Sequence, residues 1–276
     1  MNAPPTTGFL LHLSGPLQSW GERSRFSRRD TATAPTRSGL IGMIAAAFGR
    51  RREEAVADLA ALRFTVRIDR PGTLLRDFHT IGGGMPRDLT VITAKGERRE
   101  RGKTTVISER YYLQDAAFTV VVTADDPALL DRCAQALRAP CWPLYLGRRS
   151  CPPNAPLLLT VLRTDPTAAL IGFPLARTAP HDRSDVLIEF RSDTPFDAPA
   201  WPADLIVPED EQVYTEAQDE PISFEPHHRR FQSRPVHRRH LRLPARQCAG
   251  RGLDYLTKII DHLESEQPSE DPPTSP

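Results

Sequence analysis

Three segments of the chain gather side chains that could do chemistry. Residues 15–39 (GPLQSWGERSRFSRRDTATAPTRSG) set Arg23, Arg25, Arg28, Arg29 and Arg37 around Trp20 and Phe26 and run into a helix start at Ser38. Cations interleaved with rings suit single-stranded nucleic acid, because guanidinium groups follow phosphates while rings stack on bases. Free backbone N–H groups at a helix start could add a phosphate cradle. The same residues also fit a plainer arrangement, with Trp20 and Phe26 in the core and the arginines on a solvated loop. In residues 145–153 (YLGRRSCPP) a strand breaks at Gly147 into Arg148, Arg149 and Ser150 before two prolines. Glycine permits close backbone approach, and the next three residues offer donors in a small arc. A simple strand-ending turn would read the same way. Both Walker and dinucleotide glycine spacings are absent. Residues 226–251 carry eight arginines and no acidic residue. Such a block would hold phosphate or an acidic protein neighbour.

Catalytic and metal chemistry find little support. His227, His228, His237 and His240 have no carboxylate or cysteine at a ligand spacing, so neither a metal nor another cofactor is expected. There is no GxSxG and no HExxH. Metal-free RNA cleavage by general acid and base would look to His79, near Tyr111 and Tyr112. His79 fits equally well as a structural residue at a turn, beside Arg76 and Asp77.

The elements that must position these residues follow from periodicity and breakers. Residues 8–13 (GFLLHL) read as a buried strand, 38–48 as a closely packed helix with Gly39 and Gly42 on it, and 53–62 as a second helical run. Alternation over 63–69 (RFTVRID) marks a half-exposed strand. Residues 71–110 form a long polar excursion, of the kind that is functional or disordered. A central strand at 118–123, a helix at 127–138 and a short strand at 143–146 follow. Over residues 8–146 the order strand, helix, strand, strand, helix, strand is that of a ferredoxin-like, RRM-like α+β domain. A strand at 157–162 completes a first domain of residues 8–162. An irregular, β-rich and basic extension is expected over 163–263, with strands at 186–190 and 240–243 and a helix at 252–263. Residues 264–276 read as a disordered, acidic tail.

Composition sets outer limits. The 276 residues are 39% hydrophobic but only 7% aromatic, so the core should be aliphatic. Net charge is only +1, yet 33 of the 36 basic residues are arginine, the side chain that grips phosphate with a planar fork. A GC-rich genome would produce the same bias. Four cysteines in no paired pattern fit reduced thiols in a cytoplasmic protein. No run is long and apolar enough to suggest membrane insertion.

The strings GPLQSWGERSRF, PTRSGLIGMIAAAFGRRR, LLRDFHT, SERYYLQDAAFTV and YLGRRSCPP, in that order, resemble the CasD family. That family supplies the type I-E Cascade subunit that caps the 5′ handle of CRISPR RNA. The resemblance is close over residues 8 to about 162 and looser beyond. It implies a ferredoxin-like domain with a long β-hairpin thumb, here within residues 76–110, and a Gly-rich loop at residues 147–150. It also implies crRNA as ligand, backbone-forming and large Cascade subunits as partners, and target DNA met only indirectly. On these residues the handle would be held by Arg23, Arg25, Arg37, Arg148 and Arg149 on phosphates. Trp20 and Tyr112 would stack on bases. Ser38, His79, Arg110, Gly147 and Ser150 would stand close by. The family member of type I-E systems is understood not to cut RNA, whereas its counterpart in a sister subtype is a metal-independent endoribonuclease. That enzyme is the alternative reading, and a structural bridge whose arginines face protein is a third.

Overall fold

The apolar run near the N-terminus becomes a strand covered on both faces. In the computed structural model, which describes residues 6–21, 27–93, 96–100, 102–197, 201–207, 213–226 and 228–266, every residue of β1 (Gly8–Ser14) is buried. Next come two short strands, β2 (Leu17–Gln18) and β3 (Arg28–Arg29), then helix α1 (Arg37–Ala47) and strand β4 (Arg63–Arg70). The antiparallel pair β5 (Thr73–Ile81) and β6 (Val106–Gln114) precedes β7 (Ala117–Thr123), α2 (Pro127–Arg138) and β8 (Leu158–Leu162). The rest comprises α3 (Pro166–Gly172), β9 (Val186–Ser192), β10 (Val213–Ser223), β11 (Arg230–Leu243) and α4 (Gly252–Glu266).

Seven strands form one sheet in the order β10-β11-β9-β4-β7-β1-β8, each antiparallel to its neighbours. Because side chains alternate across a strand, Phe9, Leu11 and Leu13 face one way and Leu10 the other. The first set joins α1 and α2 in one core, with Phe64, Val66, Val120 and Val122. Leu10 and Val121 join a second core under α3 and α4, with Phe190, Leu241 and Tyr255. The expected division at residue 162 falls inside this continuous sheet, since β9 pairs with β4.

Two buried arginines tie the layers together. Arg67, fully buried on β4, binds Asp69 (2.7 Å) and donates to the carbonyls of Leu170 and Phe173 at the end of α3. A cation there also opposes the negative end of the helix. Arg37, at the start of α1, donates to the carbonyls of Leu62 (2.7 Å) and Ala60 (2.8 Å) and to Asp193 (2.6 Å), and its Nε pairs with Glu220.

Several expectations change in the structure. Residues 143–146 are not a strand: Pro143 has no N–H to give, and the Leu146 N–H closes a turn on the Cys151 carbonyl (2.8 Å). Residues 53–62 hold only a 3-10 turn at Ala57–Ala61. Their buried residues Val56, Leu59 and Leu62 recur every three positions, which suits three residues per turn. The strand expected at 240–243 is the end of the fourteen-residue β11, whose partner β10 was not foreseen. Helix α4 runs to Glu266; residues 267–276 of the expected tail lie outside the described residues.

Candidate nucleic-acid interface

Arg148 builds the floor of the site by what it holds. Its guanidinium donates to the carbonyls of Tyr111 (3.1 Å), Arg29 (2.8 Å) and Asp30 (3.1 Å), and lies 4.8 Å over the Tyr112 ring. The loop at 147–150 is thereby tied to β6 and to the segment after β3. Gly147 makes this possible in a different way from the expected one. It has φ +86°, and a Cβ there would stand 1.8 Å from the Ser19 carbonyl oxygen. The close approach is to the protein's own backbone.

Above that floor lies a cleft of about 650 Å³. One wall is α1, which presents Ser38, Gly39, Gly42, Ala45 and Ala46. Arg50, Arg51 and Arg52 follow from the helix end; Arg29, Arg148 and Arg149 come from the floor, and Arg229 from the β10–β11 turn. Among the described residues no carboxylate lines it. Arg50 is held by Asp58 and lies over Phe48. The side chains of Arg29, Arg51, Arg52, Arg149 and Arg229 make no hydrogen bond or ion pair among the described residues. Burial, reinforced by the charges of Arg52 and Arg29, pushes the Arg229 pKa down. Cations crowded without counter-charge favour a polyanion, and Trp142, Tyr145, Phe224 and Phe231 add rings to the same walls.

The expected contact residues do not share one place. Arg148, Arg149, Gly147 and Ser38 do line the cleft. Arg110 and His79 sit on the β5–β6 ribbon instead: Arg110 donates to Ser108 Oγ (3.3 Å) and His79 Nδ1 lies 3.3 Å from Asp77. Ser150 is exposed at the end of the loop, next to Cys151. Arg23, Arg25 and Phe26 lie outside the described residues.

Four expectations need correction. Trp20 is fully buried, with its indole N–H on Gln18 (3.0 Å) and its ring against Gly39, so no base can reach its face. Tyr112 is buried and its ring is covered by Arg148. Arg37 is buried with its donors spent on carboxylates and carbonyls, so no phosphate is within its reach. The start of α1 is not a phosphate cradle: Thr36 caps it through the Gly39 N–H (3.3 Å), and Asp219 takes the Arg37 N–H (2.6 Å).

His79 also loses its expected neighbours. It pairs in register with Ser108, whereas Tyr112 pairs with Leu75, four residues back along the ribbon. At about 3.4 Å per residue that is over 10 Å. Among the described residues no three His, Cys, Asp or Glu side chains gather where a metal ion would fit. Sequence reading missed Arg51, Arg52, Arg229, Trp142, Phe224 and Phe231 as a group. The run GRRR after α1 was a visible signal; the arrival of the β10–β11 turn was not.

The comparisons agree with one another. The family model described as "CRISPR-associated protein (Cas_Cas5)" matches residues 8–237. The "CRISPR system Cascade subunit CasD" of Escherichia coli (strain K12) is 35% identical over 179 residues, covering 59% of this chain and 75% of that protein. A chain from a solved "CRISPR RNA-guided surveillance complex" superposes with a TM-score of 0.78 at 42% identity, covering 93% of this chain and 99% of the other. A second, "Crystal structure of Cas protein", gives 0.55 at 34% identity, over 89% and 98% of the two chains. With 230 residues inside the family match, the resemblance read from five motifs holds, and the chain belongs to the CasD/Cas5 family of CRISPR-associated proteins.

Proposed function

We propose that this chain is a non-catalytic subunit of a type I-E Cascade complex in the cytoplasm, and that it holds the 5′ handle of crRNA in the arginine cleft. The observation that carries this is the set of five guanidinium groups that, among the described residues, have no partner, around a cleft that no described carboxylate lines. Phosphate neutralises such a cluster, and the rings in the same walls suit unpaired bases. The sheet order β4-β7-β1-β8, with α1 and α2 on one face, supports reading the core as ferredoxin-like. The β5–β6 ribbon, inserted between β4 and β7, is then the thumb. Its exposed Leu74, Phe78 and Ile107 suit contact with neighbouring Cascade subunits. Sequence in the handle would be read by the protein, and spacer sequence by base pairing alone, so target DNA is met through the guide.

The test is binding of labelled CRISPR repeat RNA by the full chain in EDTA across a salt series. The expected result is intact RNA with a steep salt slope, reduced by about one for each of Arg51→Ala, Arg52→Ala and Arg149→Ala. Cleavage within the repeat would replace this reading by the endoribonuclease. Salt-independent or absent binding would leave the bridge whose arginines face protein. Arg148→Ala is the wrong probe, because that side chain also staples the loop to β6.

A further inference from the structure

The tip of the C-terminal hairpin reaches across to α1 and closes one side of the cleft. Phe224 and Arg229 lie in the β10–β11 turn, and Phe231 is the second residue of β11. A Cβ at Gly42 would stand 3.7 Å from Phe224 Cζ, so the ring rests against the one stretch of α1 that lacks side-chain bulk. Phe231 meets Phe224 edge to face with centroids 6.3 Å apart, and both stay partly open to the cleft. The turn is not free to drift. Asp219 on β10 takes the first N–H of α1 (2.6 Å), and Arg234 on β11 bridges Asp219 (2.6 Å) and Asp193 (2.7 Å). Aromatic rings held beside small residues, next to uncompensated arginines, make a slot in which a flat ring can lie while its phosphate stays at the mouth.

We propose that the β10–β11 turn is the second jaw of the cleft: Phe231, backed by Phe224, stacks on one unpaired nucleobase inside the cleft, and Arg229 holds the adjoining phosphate. This rests on the cleft taking RNA. It assigns a base-stacking role to the C-terminal half of the chain, where sequence offered only a basic tract. Stacking on a protein ring changes affinity by several-fold to about a hundredfold per base. An arginine on a phosphate contributes mainly to the salt slope.

The two halves of the jaw are separated by scanning abasic sites, one at a time, through the repeat RNA, with the full-length wild-type, Phe231→Ala, Phe231→Trp and Arg229→Ala proteins. Wild type should show one position where removing the base costs about tenfold in affinity. Phe231→Ala should lose about tenfold on intact RNA and become indifferent to the base at that position. Phe231→Trp should restore both. Arg229→Ala should keep the abasic penalty and lower the salt slope by about one. If Phe231→Ala and Phe224→Ala bind intact and abasic RNA as wild type does, while Arg149→Ala is weakened, the jaw is refuted and the arginine cleft stands. If wild type binds none of the RNAs, both fall. Circular dichroism melts of each variant exclude unfolding as the cause of a loss.

Discussion

Arginine has two separate jobs in this chain, and what each guanidinium already holds decides between them. Arg37, Arg67 and Arg234 are enclosed with carboxylates and carbonyls and act as struts. Removing one partner from a buried pair leaves the other charge uncompensated, at about 3–5 kcal/mol. Arg37→Met should therefore lower unfolding free energy by about that much in urea titrations, because Glu220 loses its cation. Arg149→Ala should stay within about 0.5 kcal/mol of wild type in the same assay. One-letter sequence shows both as R, which is why Arg37 reads as a phosphate ligand until its burial is seen.

A second prediction at this scale concerns His12. It is buried on β1 against Tyr255 (4.7 Å between centroids), its Nδ1 has no partner among the described residues, and burial lowers its pKa to about 4. Below the unfolded value near 6.5 the unfolded chain takes up a proton that the folded one refuses. Stability should then be flat above pH 6.5 and fall as pH drops towards 4, by up to about 3 kcal/mol. Chemical denaturation at several pH values should show this slope in wild type and its loss in His12→Leu; an unchanged slope in the variant would assign it elsewhere.

At the scale of elements, what could be read in the sequence depended on whether an element's partners were close in the chain or covered it completely. The strands β1 and β7 are buried on both faces, so their apolar runs are unmistakable. Helix α2 begins at Pro127 after an Asp126 cap, as its sequence indicates. The β10–β11 hairpin gave no such signal. Its strands are polar, interrupted by Pro221 and Pro235, and the hairpin is fixed by ion pairs to distant residues. The α1 cap was misplaced: the sequence reads a helix start at Ser38, whereas Thr36 caps a helix that begins at Arg37, and Asp219, which takes the Arg37 N–H, lies 182 residues away. Because Asp219 serves both α1 and Arg234, Asp219→Ala should cost about 3 kcal/mol or more and loosen hairpin and helix together. Hydrogen exchange should quicken in β10, β11 and the first turn of α1 while β1 and β7 stay protected. Uniform quickening would mean that the hairpin is not a separate unit of stability.

At the scale of the whole molecule, one face of the β5–β6 ribbon is left unused by the fold itself. Opposed residues in an antiparallel pair point the same way, so the register places Leu74, Phe78 and Ile107 on one face, together with Thr80, Glu109 and Tyr111. Leu74 and Phe78 are 60% and 62% exposed and Ile107 52%. Leu74 and Phe78 flank Arg76 on that face, which pairs with Glu109 (3.6 Å), and Ile107 stands on the other strand; three large apolar side chains exposed on one face of a two-stranded ribbon are a contact surface, because nothing in the fold repays exposing them to water. A protein purified alone should bury that face against another copy, while one inside its complex should bury it against a neighbour. Sedimentation over a range of concentrations is expected to show self-association of the isolated chain. Phe78→Lys with Ile107→Lys should shift it towards monomer without lowering its melting temperature by more than a few degrees, since neither side chain is part of a core. The same double variant should keep RNA affinity, because the arginine cleft lies elsewhere, and should fail in assembly with partner subunits. A monomeric wild type whose assembly is untouched by the substitutions would mean that the ribbon's apolar face has no partner.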